Sequence, residues 1–114
     1  MENCLFCKIM AGEIPCKKVY EDENCMAFND ISPKAPVHIL LVPKVHVENV
    51  HSIRGEDEKI AKDLFSAVSK IVREQNLEKS GYRLVINSGE NGGQTVFHLH
   101  IHILGGVKMG WNPV

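Results

Sequence analysis

The segment His98-Leu99-His100-Ile101-His102-Ile103-Leu104 places a histidine at every second position and an aliphatic residue between. A β-strand sends successive side chains to opposite faces, so this pattern predicts a strand with two unlike surfaces. The three imidazoles share one face, with about 6–7 Å between neighbours along the backbone. Leu99, Ile101 and Ile103 take the other face, which reads as core. A lone histidine in such a strand is more often a satisfied core residue than a ligand or a catalyst. Three in register argue for a task, since imidazole titrates near neutral pH and also ligates metals.

The rest of the chain supplies a sheet for that strand. Residues 4–11 predict a short helix that Gly12 can end. Residues 18–21 and 25–28 predict two short strands around the polar turn Asp22-Glu23-Asn24. The loop that follows carries Pro33 and Pro36, and the apolar run 37–42, broken only by His38, predicts a buried strand closed by Pro43. From about Glu56 to Gln75, the spacing of Ile60, Leu64, Ala67, Val68, Ile71 and Val72 predicts an amphipathic helix. Residues 82–87 and 96–104 predict the last two strands, separated by the glycine-rich turn 88–95. Consecutive strands with one long and one short helix predict an α+β fold on a five-stranded antiparallel sheet.

At 114 residues with a net charge of −1, one domain over residues 1–114 is expected. Without a block of like charge, no nucleic-acid partner is suggested. No stretch approaches the roughly 20 apolar residues that span a bilayer, and the start Met1-Glu2-Asn3-Cys4 lacks the features of an export signal. The expected address is the cytoplasm, where the four cysteines are thiols or metal ligands.

The histidine motif resembles the signature of the histidine triad family of nucleotide hydrolases and transferases. So do Asn29-Asp30-Ile31-Ser32-Pro33, Ala35-Pro36 with His38, and Val42-Pro43-Lys44 with His46. Asn87, Gly92-Gly93-Gln94, Leu104-Gly105-Gly106 and Trp111 extend the resemblance, which is closest to the Hint-type branch and covers nearly the whole chain. It implies a homodimer whose two sheets join into one, with a nucleotide site in each subunit.

A phosphorus bearing negative oxygens repels hydroxide, and a neutral imidazole can attack it and later depart. The resemblance implies that His100 is this nucleophile and forms a nucleotidyl-imidazole intermediate that water hydrolyses. His102, one strand step away on the same face, is placed to donate to a phosphate oxygen or the leaving group. Some branches carry glutamine there and transfer the nucleotide to another acceptor, so histidine points to hydrolysis. His38 is implied as a supporting member of the network; a buried imidazole bonded to backbone is the plainer alternative. Asp30 matches the aspartate that receives the ribose hydroxyls, although alone it would read as a loop residue. Phe6, Phe28 and Ile31, with Ile9, match positions that sandwich a purine, and Asn29 lies beside them. Asn87 and the backbone amides from Gly93 through Gln94 to Thr95 suit phosphate. Thr95 replaces the family's usual serine, and its methyl narrows the leaving-group space.

Cys4-Leu5-Phe6-Cys7 can share one tetrahedral ion at a helix start, a pattern common also to redox pairs and incidental thiols. In cysteine-bearing relatives the histidine after Pro-Lys and the first triad histidine complete the site. The resemblance therefore implies structural zinc on Cys4, Cys7, His46 and His98. Three histidines on one strand span roughly 13–14 Å, too far to share one open metal centre. The activity expected is cleavage of the P–N bond of purine nucleoside 5′-monophosphoramidates without a diffusible cofactor. Dinucleoside polyphosphate hydrolysis and a nucleotide-binding interaction module with incidental hydrolysis are the alternatives.

Overall fold

The computed structural model describes residues 3–111. It contains the helix α1 (Leu5–Met10), strands β1 (Lys18–Glu21), β2 (Cys25–Asn29) and β3 (Val37–Pro43), the helix α2 (Glu58–Glu74), and strands β4 (Tyr82–Val85) and β5 (Ile101–Gly105). The strands form one antiparallel sheet in the order β1-β2-β3-β5-β4. The expected α+β fold, with its five-stranded antiparallel sheet and one long and one short helix, is the fold observed.

Alternation along the strands builds two different faces. Cys25, Ala27, Ile39, Leu41, Leu99, Ile101 and Ile103 pack with Ile60, Leu64, Ala67, Val68, Ile71 and Val72 of α2 into the larger core. The opposite face carries Met26, Phe28, Leu40 and Val42 against Phe6 and Ile9 of α1. Burial of a large aliphatic or aromatic side chain contributes about 1.5–3 kcal/mol, so the α2 face is the main source of stability. The smaller α1 face is where the histidines lie.

Local chemistry sets the element ends. The Sγ of Cys4 accepts the amide of Cys7 at 3.3 Å and so caps α1. Asp22 Oδ1 accepts the amides of Asn24 and Cys25, tightening the β1–β2 turn. A short 3₁₀ turn over Gly55–Asp57 precedes α2, which begins at Glu58 rather than near Glu56. In the 88–95 turn, a Cβ at Gly92 would stand 2.4 Å from the carbonyl oxygen of Ser88, and Gly93 has φ +81°; glycine meets both demands.

Two strands are shorter than expected. β4 stops at Val85 instead of Asn87. β5 begins at Ile101, whereas the alternation predicted a strand from Val96. Upstream of Ile101 the chain has left the ladder: the Leu99 amide donates to Val47 O at 2.7 Å, and the His98 ring is bonded to the Pro43 carbonyl. The alternation of faces nevertheless continues back to His98, since Leu99 stays in the α2 core. No helix of the described residues is long and apolar enough to cross a membrane. Asn112, Pro113 and Val114 lie outside the described residues; Trp111 is almost fully exposed.

Candidate active site and metal centre

His98, His100 and His102 occur in one row against Phe6. The Phe6 ring lies edge-on to both His98 and His100, with centroids 5.9 and 4.9 Å away, and His100 stands 5.0 Å from His102. His38 joins from β3. Leu40 pairs with His102 and His38 with Leu104, so His38 and His102 are diagonal neighbours across two strands. Their rings meet, with His38 Nε2 2.9 Å from His102 Nδ1.

The hydrogen bonds assign a proton to each ring. The Lys34 amide donates to His38 Nδ1 at 3.0 Å, which leaves the His38 proton on Nε2. That Nε2–H donates to His102 Nδ1, so neutral His102 carries its own proton on Nε2. His100 Nδ1 donates to His98 O at 2.7 Å, leaving Nε2 as a lone-pair nitrogen. His98 Nε2 donates to Pro43 O at 2.8 Å, leaving its Nδ1 lone pair toward the cysteines. His38 thus has both roles weighed for it: a backbone partner on one nitrogen and a site partner on the other.

Burial keeps these imidazoles neutral. It holds His102 down to about 4, with the neighbouring His100 and His38 adding to the effect. It also lowers His100, against the opposing influences of the His98 carbonyl and Asp30, and it lowers His38, which Asp30 partly offsets. A neutral row of rings is what nucleophilic attack by imidazole requires.

Two cavities, each about 290 Å³, meet at His100 and His102. One is mainly apolar and includes Phe6, Ile9, Phe28, Asn29, Asp30 and Ile31, together with Thr95. Phe6 and Phe28 are edge-to-face at 5.6 Å and are core residues as well as cavity wall. Ile31, 96% exposed, stands at the mouth of this cavity. Ile14, Cys16, Leu40 and Val96 also line this cavity; sequence reasoning missed them because nothing in their spacing separates them from ordinary loop and core residues. The second cavity is more polar and holds Asp30, Asn87, Gly93 and Thr95 with His38, His100 and His102, plus Lys34 and Val85, which were not anticipated.

Gln94 behaves differently from its neighbours. It is 5% exposed, and its side chain accepts from the Gly89 amide and donates to Glu48 O and Val96 O. Its own amide donates to Gly89 O, and that of Gly93 to Glu90 O. Gln94 therefore holds the turn, and Thr95 is the residue of the turn that borders both cavities. Asp30 is divided: Oδ1 accepts the Ser32 amide at 2.7 Å, while Oδ2 lies 3.5 Å from His38 Nε2.

Beside the row, Cys4, Cys7, His46 and His98 bring four donor atoms within 4.8 Å of one another. Cys4 Sγ is 3.3 Å from His98 Nδ1, and Cys7 Sγ is 3.5 Å from His46 Nδ1 and 3.6 Å from His98 Nδ1. Zinc–sulfur bonds of about 2.3 Å and zinc–nitrogen bonds of about 2.0–2.1 Å at a tetrahedral angle give S···N separations of about 3.6 Å. The donor set fits such an ion. Burial and the adjacent Cys4 push the Cys7 thiol up from its ordinary value, a cost that a bound divalent cation reverses. Cys16 and Cys25 stand apart from this group.

A model of the HIT domain matches residues 11–109. A protein named hit from Bacillus subtilis is 50% identical over 105 residues, covering 90% of this chain and 70% of its own length. A HIT family hydrolase from Clostridium thermocellum superimposes with a TM-score of 0.95 at 46% identity, covering 100% of this chain and 99% of that one. A histidine triad nucleotide-binding protein from Candida albicans gives 0.83 at 31% identity, covering 98% and 85%.

Proposed function

The chain belongs to the HIT family, and on that premise we propose that it is a hydrolase that cleaves the P–N bond of purine nucleoside 5′-monophosphoramidates. The observation that carries the reading is the 2.7 Å bond from His100 Nδ1 to the His98 carbonyl, which fixes the tautomer with a nucleophilic Nε2. Similarity to the HIT family hydrolase of Clostridium thermocellum and to the histidine triad nucleotide-binding protein of Candida albicans supports the reaction type and the ligand class.

The apolar cavity takes the purine between Phe6, Ile9 and Phe28 on one side and Ile31 on the other, with Asn29 beside it. Asp30 receives the ribose hydroxyls through its remaining lone pairs. The phosphate then lies at the junction of the cavities, facing Asn87, Thr95 and the Gly93–Gln94 turn. His100 Nε2 attacks phosphorus, and the P–N bond breaks as the departing amine takes up a proton from solvent, with His102 Nε2–H donating a hydrogen bond to a phosphate oxygen or the leaving group. Water next displaces His100 from phosphorus, and its proton returns to solvent. His38 acts throughout by holding Nδ1 of His102, so that the proton in play is on Nε2.

Zinc on Cys4, Cys7, His46 and His98 belongs to the same reading. When bound it supplies a structural tie between α1 and the segment leading into β5, and no chemistry at phosphorus. So does a homodimer: β1 and β4 are the edges of the sheet, and β4 presents Tyr82 to solvent, which suits pairing with a second copy.

The decisive experiment incubates the protein with adenosine 5′-monophosphoramidate and analyses quenched samples by mass spectrometry. Release of AMP, with an adenylylated peptide containing His100, is the expected result. Full turnover by His100→Gly would overturn histidine nucleophilic catalysis. No turnover by the natural chain, with AMP still bound, would favour a nucleotide-binding module.

A further inference from the structure

The polar cavity has an occupant that the reaction scheme leaves without a role. Lys34 lines it together with Asp30, Asn87 and the catalytic imidazoles. With the purine in the apolar cavity and phosphorus at the junction, whatever is bonded to phosphorus beyond the nucleoside must lie on this polar side. The Lys34 side chain enters none of the ion pairs of the described residues. The carboxylate of the same cavity is already committed, with Asp30 Oδ1 on the Ser32 amide and Oδ2 facing His38. The positive charge of Lys34 also reaches the site, contributing to the lowering of both His38 and His102. Its backbone has a separate duty, the bond from its amide to His38 Nδ1, which a side-chain substitution leaves in place.

We propose that Lys34 selects the leaving group: the preferred substrates are nucleoside phosphoramidates whose amine itself bears an anionic group, a carboxylate or a phosphate, a few bonds from nitrogen. This rests on the hydrolase reading above and specifies its substrate class. Attraction of an exposed ammonium for such an anion amounts to about 0.2–1 kcal/mol, which converts to a preference of up to about fivefold. The preference shrinks as salt screens the pair.

The test compares three adenosine 5′-phosphoramidates, those of β-alanine, β-alaninamide and O-phosphoethanolamine, at low and high salt. For the natural chain, kcat/KM for the β-alanine conjugate is expected to exceed that for the neutral β-alaninamide conjugate about three- to fivefold. Lys34→Gln should bring the ratio to about one, and Lys34→Arg should restore it. The phosphoethanolamine arm tells carboxylate from phosphate as the favoured anion. A ratio of one in the natural chain, or a ratio untouched by Lys34→Gln, overturns the proposal. Calorimetric binding of the first two conjugates to His100→Gly reads the same discrimination without turnover. A Lys34-dependent affinity ratio there, with no hydrolysis by the natural chain, sinks the hydrolase reading and upholds Lys34. Hydrolysis with equal affinities and equal rates does the reverse.

Discussion

His98 serves His100 with its backbone while its side chain faces elsewhere. Its carbonyl oxygen accepts Nδ1–H of His100 at 2.7 Å, and its ring presents Nδ1 to Cys4 Sγ at 3.3 Å. One residue thus orients the proposed nucleophile and contributes a donor to the Cys4, Cys7 and His46 cluster. The two functions are nonetheless separable by substitution, because the nucleophile depends only on the backbone of His98.

That separation predicts opposite metal contents in two variants. His100→Ala should retain zinc near one equivalent by elemental analysis, and Cys4→Ala should lose most of it, with a lowered melting temperature. A zinc content that followed His100 and ignored Cys4 would place the ion elsewhere. Turnover should fall at least a thousandfold in His100→Ala.

Asp30 predicts sugar discrimination. Removing hydrogen bonds from ribose hydroxyls to a carboxylate costs about 1.5–3 kcal/mol. The natural chain should therefore prefer the ribonucleoside substrate to its 2′-deoxy analogue, and Asp30→Asn should narrow that preference. The amide oxygen of asparagine can still accept the Ser32 amide, so the loop should survive. An unchanged ribose-to-deoxyribose ratio of kcat/KM in Asp30→Asn would remove Asp30 from the sugar site.

The acid limb of the activity and stability profiles should follow His102. Its folded-state value near 4 lies below the ordinary 6.5, so between these values the unfolded chain binds the proton more readily. The stabilisation from neutral His102 is complete above about pH 6.5 and is lost as pH falls toward 4. Melting temperature measured over pH 7.5 to 4 should drop more steeply in the natural chain than in His102→Gln, which has no proton to take up. For kcat/KM of the natural chain, the fall should come below about pH 5. Parallel melting profiles in the two proteins would contradict the burial of a neutral ring at this position.

Gln94 should act through the turn. Gln94→Ala strips partners from the Gly89 amide and from the Glu48 and Val96 carbonyls, at a cost of about 0.5–1.5 kcal/mol for each hydrogen bond lost. Thermal denaturation should show that loss, with reduced turnover following from a displaced Thr95. A variant of unchanged stability with a large rise in KM would instead make the Gln94 side chain a ligand contact.

The alternation from His98 to Ile103 was enough to separate the three histidines from Leu99, Ile101 and Ile103, because period two is a property of extended backbone whether or not it is paired. It could not show where pairing stops: the chain leaves the ladder before Ile101 through a bond from Leu99 to Val47, a partner far away in sequence. Cys4 and Cys7 were legible as a pair from their spacing, and family resemblance added His46 and His98, which the fold brings beside them. Lys34 and Ile14 were not read as cavity residues. Their contribution depends on how loops close over the α1 face, and loop closure leaves no periodic trace.

The HIT match starts at residue 11, immediately after α1. The six residues of that helix with Cys4 carry two of the four clustered donors and, in Phe6 and Ile9, two wall residues of the apolar cavity. A helix so short does not persist by itself in water. A chain trimmed to begin at residue 11 would retain the sheet and its histidines, with Phe28 and Ile31 still in place, yet it would lose one wall of the apolar cavity and two of the four clustered donors. One wall of the cavity thus lies outside the stretch that the family shares, so the pocket can be reshaped there without touching the histidine row.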